Sequence, residues 1–254
     1  MVNTLGIVEI QGASPTLTSG LELQSLADRK WGGQTLLEWL VRRVTESTLL
    51  DQVIVVSPRE AHGRQVALRT PGNVPVFYSK HLDGLARVAA ALKKYPAKSI
   101  VRVCVGNPFV DPALIDRLVS AAKAHPACEY ISYVCADGRP AVQSQLGLFA
   151  ELCRADAILR ADRDATDLAD RRDVTRYIFS HPELFQLRLL PIPPLLDRDD
   201  VRLAINSEED WDHAQTIFDA LGPESLDWQR IAGLLDHQPE MRQRMALLNR
   251  AEAD

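Results

Sequence analysis

Three stretches of this sequence hold polar residues placed where an α/β protein does its chemistry: "QGASPTLTSG" from residue 11, "GNPFVDP" from residue 106 and "NSEED" from residue 206. Each follows an apolar run that reads as a strand, and open α/β sheets bind ligands beyond the carboxyl ends of their strands. The first stretch offers hydroxyl and amide donors from Ser14, Thr16, Thr18, Ser19 and Gly20. The second places Asn107 in a tight turn where an aspartate would be the more useful chemical group. In the third, Asn206 precedes Glu208, Glu209 and Asp210. Acidic residues in a first helical turn are accounted for by the macrodipole and the cap.

The elements that must position these stretches follow from periodicity. "LGIVEIQG", "DQVIVVSP", "VPVFYS" and "SIVRVCVG" read as strands, and the continuous apolar run of the last predicts burial on both faces. Between them, "QTLLEWLVRRVTES" puts Leu36, Leu37, Leu40, Val41 and Val44 on one helical face, and "DGLARVAAALKKY" is a second helix. Strands alternating with amphipathic helices predict an α/β fold with a mostly parallel sheet. After the turn, Asp111 and Pro112 predict an N-cap and first helical turn, with Leu114, Ile115, Leu118 and Val119 inward.

"EYISYV" returns as a strand, "ELCRADAILRA" reads as helical, and "DRDATDLADRRDV" as a solvated loop or short exposed helix. "DVTRYIFSHPELF" is a helix ended by His181 and Pro182, with Tyr177 and His181 in packing or capping roles. "LRLLPIPPLLDRDDVRLAIN" reads as two extended stretches joined by a proline-rich link, since proline cannot donate to a central ladder. Ser207 and Asp210 form a capping-box variant opening the next helix. The division expected is an α/β domain over 1–222 and a helical tail over 223–254, interrupted near Pro239 and packed on the domain.

Composition narrows the function classes. The 29 Lys and Arg against 34 Asp and Glu give a formal net charge of -5, so no global positive field draws nucleic acid. No apolar run approaches the roughly 20 residues that cross a bilayer, and the N-terminus lacks a basic segment with an apolar signal core, so the expected location is the cytoplasm. The four cysteines show no C-x-x-C spacing and read as buried thiols. No histidine pair shares a helical face with them, which leaves metal ligation by imidazole unsupported. His81 beside Asp83 is the nearest candidate base, and reads better as a surface histidine.

The stretches "GGQTLLEWLVRRVTESTLLDQVIVVSP", "GNPFVDPALIDRLV", "RRDVTRYIFSHPELF", "VRLAINSEEDWDHAQTIFDAL" and "IAGLLDHQPEM" resemble the cytidylyltransferases that activate acidic sugars, especially the spore-coat polysaccharide type. The resemblance spans nearly the whole chain. It implies a three-layer Rossmann-like nucleotidyltransferase fold of the GT-A-like kind, often dimeric, joining a sugar to CMP from CTP under Mg²⁺. In such a reaction carboxylate-held metal neutralises charge developing on the phosphates. CTP or a nucleotide sugar is the partner expected, with a homodimer as the assembly.

The same resemblance exposes departures. Where the family's first loop is close to A-R-M-x-S-x-R-L-P-G-K, this chain has Gly12 at the first arginine, Thr16 or Leu17 at the second and Glu22 near the lysine. Where the family has G-D-x-P and later R-L-T-V-D, it has Asn107 and Asn206, and "SQLGLFAEL" carries no acid where a sugar-site carboxylate is expected. Asp83, Arg87 and Arg102 are retained. The nucleotide-binding positions implied are Gln11, Gly12, Ser14, Arg87 and Gly106, and Asn107 and Asn206 are the degenerate metal positions. The expectation is a cytidylyltransferase-like protein whose catalysis is lost or strongly altered, serving a binding or regulatory role. The alternative is an active CTP-dependent enzyme activating an acidic sugar for cell-surface polysaccharide.

Overall fold

In the strand β1 (Val2–Glu9), Leu5, Ile7 and Glu9 face one side of a sheet and Val8 the other, so each side receives its own apolar cluster. The computed structural model describes residues 2–10, 26–59, 66 and 69–253. Among these, β1, β4 (Gln52–Pro58), β5 (Val76–Ser79), β6 (Ala97–Cys104), β7 (Tyr130–Val134), β8 (Glu151–Arg154) and β9 (Leu187–Pro191) form a seven-stranded sheet of order β5-β4-β1-β6-β8-β7-β9. Only β8 runs against the others. A two-residue pair, β2 (Lys30–Trp31) and β3 (Gln34–Thr35), stands apart from it.

Helices cover both faces. On one lie α1 (Leu36–Thr45), α3 (Pro112–Ala124), α7 (Glu208–Leu221), α8 (Trp228–Asp236) and α9 (Pro239–Ala253). On the other lie α2 (Gly84–Lys94), α4 (Ala155–Asp164) and α6 (Arg176–Ser180), with the short α5 (Leu168–Arg172) beside α2. This is the mostly parallel α/β sheet expected. The helix faces follow the sequence: α1 buries Leu36, Leu37, Leu40, Val41 and Val44, and α3 buries Leu114, Ile115, Leu118 and Val119. Thr35 and Glu38 close a full capping box on α1, with Glu38 N donating to Thr35 Oγ1 at 3.2 Å and Thr35 N to Glu38 Oε2 at 2.6 Å. From the tail, Leu226, Ile231, Leu235 and Met245 enter the main core. No helix among the described residues is long and apolar enough to cross a membrane.

Three local expectations are corrected. Residues Glu151–Arg154 are not the start of a helix but the reversed strand β8, inserted between β6 and β7, and the helix begins at Ala155. Its alternation explains this: Glu151 and Cys153 point to one side and Leu152 to the other, and Glu151 is drawn to a charge on β6. The expected late strand "VRLAI" joins no ladder; residues 201–205 are buried and irregular, bonded instead to loops. Gly147, at φ +62°, presses so closely on them that an added Cβ would lie 2.6 Å from the Leu203 carbonyl carbon. Finally, the helix expected from Asp173 to His181 is confined to Arg176–Ser180; it starts later than expected and ends at His181 as expected.

Candidate functional site at the strand ends

The turn after β6 is held from three sides. Val105 N donates to Glu9 O at 3.0 Å, Asn107 N to Cys104 O at 3.0 Å, and Val110 N to Asn107 O at 3.2 Å. From α1, Trp39 Nε1 donates to Pro108 O at 2.9 Å and Arg43 Nε to Val110 O at 3.2 Å. Asp111 then caps α3 through Ala113 N at 2.8 Å, and its other oxygen accepts from Trp228 N at 3.1 Å, tying the tail to this turn.

The segments carrying the two asparagines join at this edge. Ile205 N donates to Gly106 O at 2.8 Å, so Asn107 and Asn206 each follow one partner of a shared hydrogen bond. The Asn107 side chain has no hydrogen-bond partner among the described residues and is half-buried. Asn206 is committed: its Nδ2 donates to Gln145 Oε1 at 2.6 Å and its backbone N to Asp210 Oδ2 at 3.0 Å. The capping-box variant is therefore shifted. Ser207 Oγ accepts from Asp210 N at 3.2 Å, but the Asp210 carboxylate answers to Asn206 N rather than to Ser207 N.

Asp210 is also the partner of Arg202, at 2.6 and 3.0 Å, and Arg202 reaches Glu252 on α9 at 2.6 Å. Burial opposes the Arg202 charge, but hydrogen bonds to Glu252 and Asp210 outweigh it and raise its pKa above the ordinary arginine value. Gln145 and Glu252 escaped the sequence reading. Gln145 lies within the stretch searched for a carboxylate, and no local signal connects it to a residue 107 positions away. Arg29 was missed as well; its Nη1 lies 2.6 Å from Glu208 Oε2 and its guanidinium 4.1 Å from the Trp211 ring centroid, at the start of α7.

Behind this edge, on the α2 side, runs a largely buried row of charges. Arg102 Nε donates to Glu9 Oε2 and Arg102 Nη1 to Glu151 Oε1, both at 2.6 Å. Tyr130 and Thr175 hydroxyls complete Glu151 at 2.8 and 2.7 Å, and Arg87 Nη2 lies 3.3 Å from Glu9 Oε1. Burial pushes the Glu151 carboxyl up against the pull of Arg102. Arg87, expected at the nucleotide, is buried, with its guanidinium on Glu9 and the carbonyls of His81 and Leu82. Burial likewise pushes the Cys104 thiol to about 11, only partly opposed by Arg102, so it is protonated and a poor nucleophile at neutral pH. His81 is exposed, as expected of a surface histidine. Gln11, Gly12 and Ser14 lie outside the described residues.

A cavity of about 960 Å³ with a mixed apolar and charged lining opens beside Gln145, between the ends of β7 and β9 and helix α9. Arg250 on its wall has no ion-pair partner among the described residues.

A sequence model described as cytidylyltransferase matches residues 27–252. The chain belongs to the cytidylyltransferase family. Uncharacterized protein MJ1063 of Methanocaldococcus jannaschii is 29% identical over 242 residues, 94% of this chain and 92% of its own. Spore coat polysaccharide biosynthesis protein SpsF of Bacillus subtilis is 25% identical over 219 residues, 84% of this chain and 88% of its own. Among solved structures, a cytidylyltransferase from Leptospira borgpetersenii matches with a TM-score of 0.77 at 20% identity, over 95% of this chain and 96% of that one. Rv0371c of Mycobacterium tuberculosis, solved in complex with manganese, matches with a TM-score of 0.58 at 17% identity, over 85% of this chain and 98% of that one. At such identities the structural likeness establishes the nucleotidyltransferase fold.

At the two positions compared in sequence with the family's metal aspartates, the side chains are carboxamides. Among the described residues no three His, Cys, Asp or Glu side chains gather as a metal site. Neutral amide oxygens are weak ligands for hard divalent cations, so these residues do not fit a tightly held Mg²⁺ or Mn²⁺.

Proposed function

We propose that this cytidylyltransferase-family chain binds a cytidine nucleotide or nucleotide sugar at the carboxyl edge of β1 and β6, with nucleotidyl transfer lost or strongly reduced, and that it serves as a binding or regulatory protein. The observation that carries this reading is the pair Asn107 and Asn206, brought to one edge by the Ile205–Gly106 hydrogen bond. Transfer from a nucleoside triphosphate relies on electrostatic stabilisation of phosphate charge, and two neutral amides supply little of it. The relative named for spore coat polysaccharide biosynthesis supports a place in the assembly of a cell-surface polysaccharide. A homodimer is part of the proposal and is checked by light scattering.

The second reading, an active enzyme for an acidic sugar, is favoured by the cavity with the unpaired Arg250, whose fixed positive charge suits a sugar carboxylate. Calorimetric titration with CTP, with and without Mg²⁺, followed by a pyrophosphate-release assay with acidic sugars, separates the two. Binding that is indifferent to Mg²⁺, with no pyrophosphate released, is expected. Turnover with any acidic sugar overturns the first reading in favour of the second, and absence of CTP binding overturns both.

A further inference from the structure

Asn206 does not stand alone; it ends a chain of amides whose polarity is imposed from α9. Which end of a carboxamide carries the NH₂ is decided by its partners. Glu252 Oε1 accepts from Arg202 Nη2 at 2.6 Å, and Glu252 Oε2 faces Gln145 Nε2 at 2.7 Å. An ionised carboxylate only accepts, so Gln145 must turn its NH₂ toward Glu252. Its Oε1 then faces position 206 and needs a donor there. Asn206 supplies one through Nδ2 at 2.6 Å, and its Oδ1 accepts no hydrogen bond among the described residues.

A carboxylate at 206 fails in this frame. Two oxygens would oppose each other at Gln145, and turning Gln145 over would only move the clash to Glu252. The supports of the frame are rigid: Arg202 is buried and held bidentately by Asp210, and the Gln145 carbonyl accepts from both Leu203 N at 2.8 Å and Ala204 N at 3.0 Å. Asn249 fastens α9 to the same segment through Asp199 O at 2.8 Å.

We propose that Glu252 is a positioning residue which, through Gln145, selects a neutral amide at position 206 and presents its Oδ1 as an acceptor for a hydroxyl or amine donor of a ligand in place of a charged metal ligand. This rests on the proposed function for the ligand, but the polarity relay itself does not. The amide at 206 is then a matched part of the site rather than a lone substitution.

The frame predicts which second change readmits a carboxylate. In Glu252→Gln, the new side chain keeps its oxygen on Arg202 and offers NH₂ to Gln145, which turns over and offers its own NH₂ to position 206. A cycle of wild type, Asn206→Asp, Glu252→Gln and the double variant tests this in the full chain. Asn206→Asp alone is expected to lower Tm by about 4 °C or more, and the double variant to recover most of that loss, to within about 2 °C of Glu252→Gln. Titration with Mn²⁺ alone should tighten roughly tenfold in the double variant and less in Asn206→Asp alone.

Additive effects on Tm, or Mn²⁺ tightening as large in Asn206→Asp as in the double variant, would overturn the relay. Side-chain amide ¹⁵N spectra keep the test decisive if Asn206→Asp does not fold. In Glu252→Gln the Asn206 NH₂ signal should shift although the two residues share no contact, and an unmoved signal overturns the proposal. Neither Tm nor Mn²⁺ titration involves CTP, so failure of nucleotide binding and failure of the relay are read separately.

Discussion

Two regions at the same edge of the sheet treat charge in opposite ways. In the row Glu9–Arg102–Glu151 both carboxylates are buried and the guanidinium is largely so, and each finds an ionic or hydroxyl partner within 2.8 Å. A few residues further along β6, the turn that faces outward carries Asn107, and the neighbouring segment Asn206. The contrast recurs inside the turn itself: Asp111, four positions after Asn107, keeps its carboxylate because two backbone amides, Ala113 N and Trp228 N, occupy it. Charge survives where the fold itself answers it. At Asn107, whose side chain no group among the described residues answers, and at Asn206, which Gln145 answers with a neutral amide, the residues are uncharged.

The largest test of this division is Arg102→Met. Removing the guanidinium leaves buried Glu151 with hydroxyl donors alone and Glu9 with only Arg87, at 3.3 Å, and breaking a buried ion pair costs about 3–5 kcal/mol. Urea unfolding of the variant should show a midpoint far below wild type; an unchanged midpoint would mean that the row is not a mutually compensating set. Next comes Asp111→Ala, which loses an N-cap, worth about 1–2 kcal/mol. It also leaves Trp228 N without its carboxylate, so hydrogen exchange should quicken at the start of α8 before it does in β1 and β6. Uniform quickening across the molecule would show that the tail is not separately anchored by this residue.

The fold was legible wherever the information is local. The heptad-like spacing of Leu36, Leu37, Leu40, Val41 and Val44, the Asp111–Pro112 cap and the alternating strands needed only neighbouring residues to be read, and the structure has them. Strand β8 was not legible, because four residues are too few for their alternation to stand out from a helical reading, and the partner that draws Glu151 is Arg102, 49 positions away. Residues 201–205 have a strand's composition but pair with the Gln145 carbonyl and Gly106, loops that a single sequence does not place beside them. For the same reason Asn107 and Asn206 could be read as departures, whereas the Glu252–Gln145–Asn206 chain could not be seen at all.

A smaller effect separates carboxylates that serve the fold from those a ligand would need. Asp116, on α3 beyond the turn, accepts from Ser47 Oγ at 2.5 Å, Thr48 Oγ1 at 2.7 Å, Thr48 N at 3.2 Å and Leu49 N at 3.1 Å. Partial burial raises its pKa, but these hydrogen bonds outweigh it and the net shift is downward. A depressed folded-state pKa contributes stability that is full above the unfolded value, about 3.9, and is lost as pH falls through the folded one. Wild type should therefore lose stability in acid more steeply than Asp116→Asn, measured by urea unfolding from pH 5 downward. Equal slopes would show that the four hydrogen bonds leave no imprint on the titration.

The smallest stability change is expected at Asn107, and it bears most directly on the comparison. Unlike Asn206, it has no side-chain partner among the described residues, so no polarity is imposed on it and an aspartate meets no opposing oxygen. Asn107→Asp should shift stability by no more than about 0.5 kcal/mol, as a surface-like substitution does. It nonetheless returns one negative charge to an edge with no metal cluster among the described residues, and hard divalent cations respond to such a charge. CTP titration of this variant should show a stronger dependence on Mg²⁺ than titration of wild type. If Asn107→Asp is instead costly and Asn206→Asp free, the two asparagines have exchanged roles, and the constrained position lies on the β6 turn rather than beside α9.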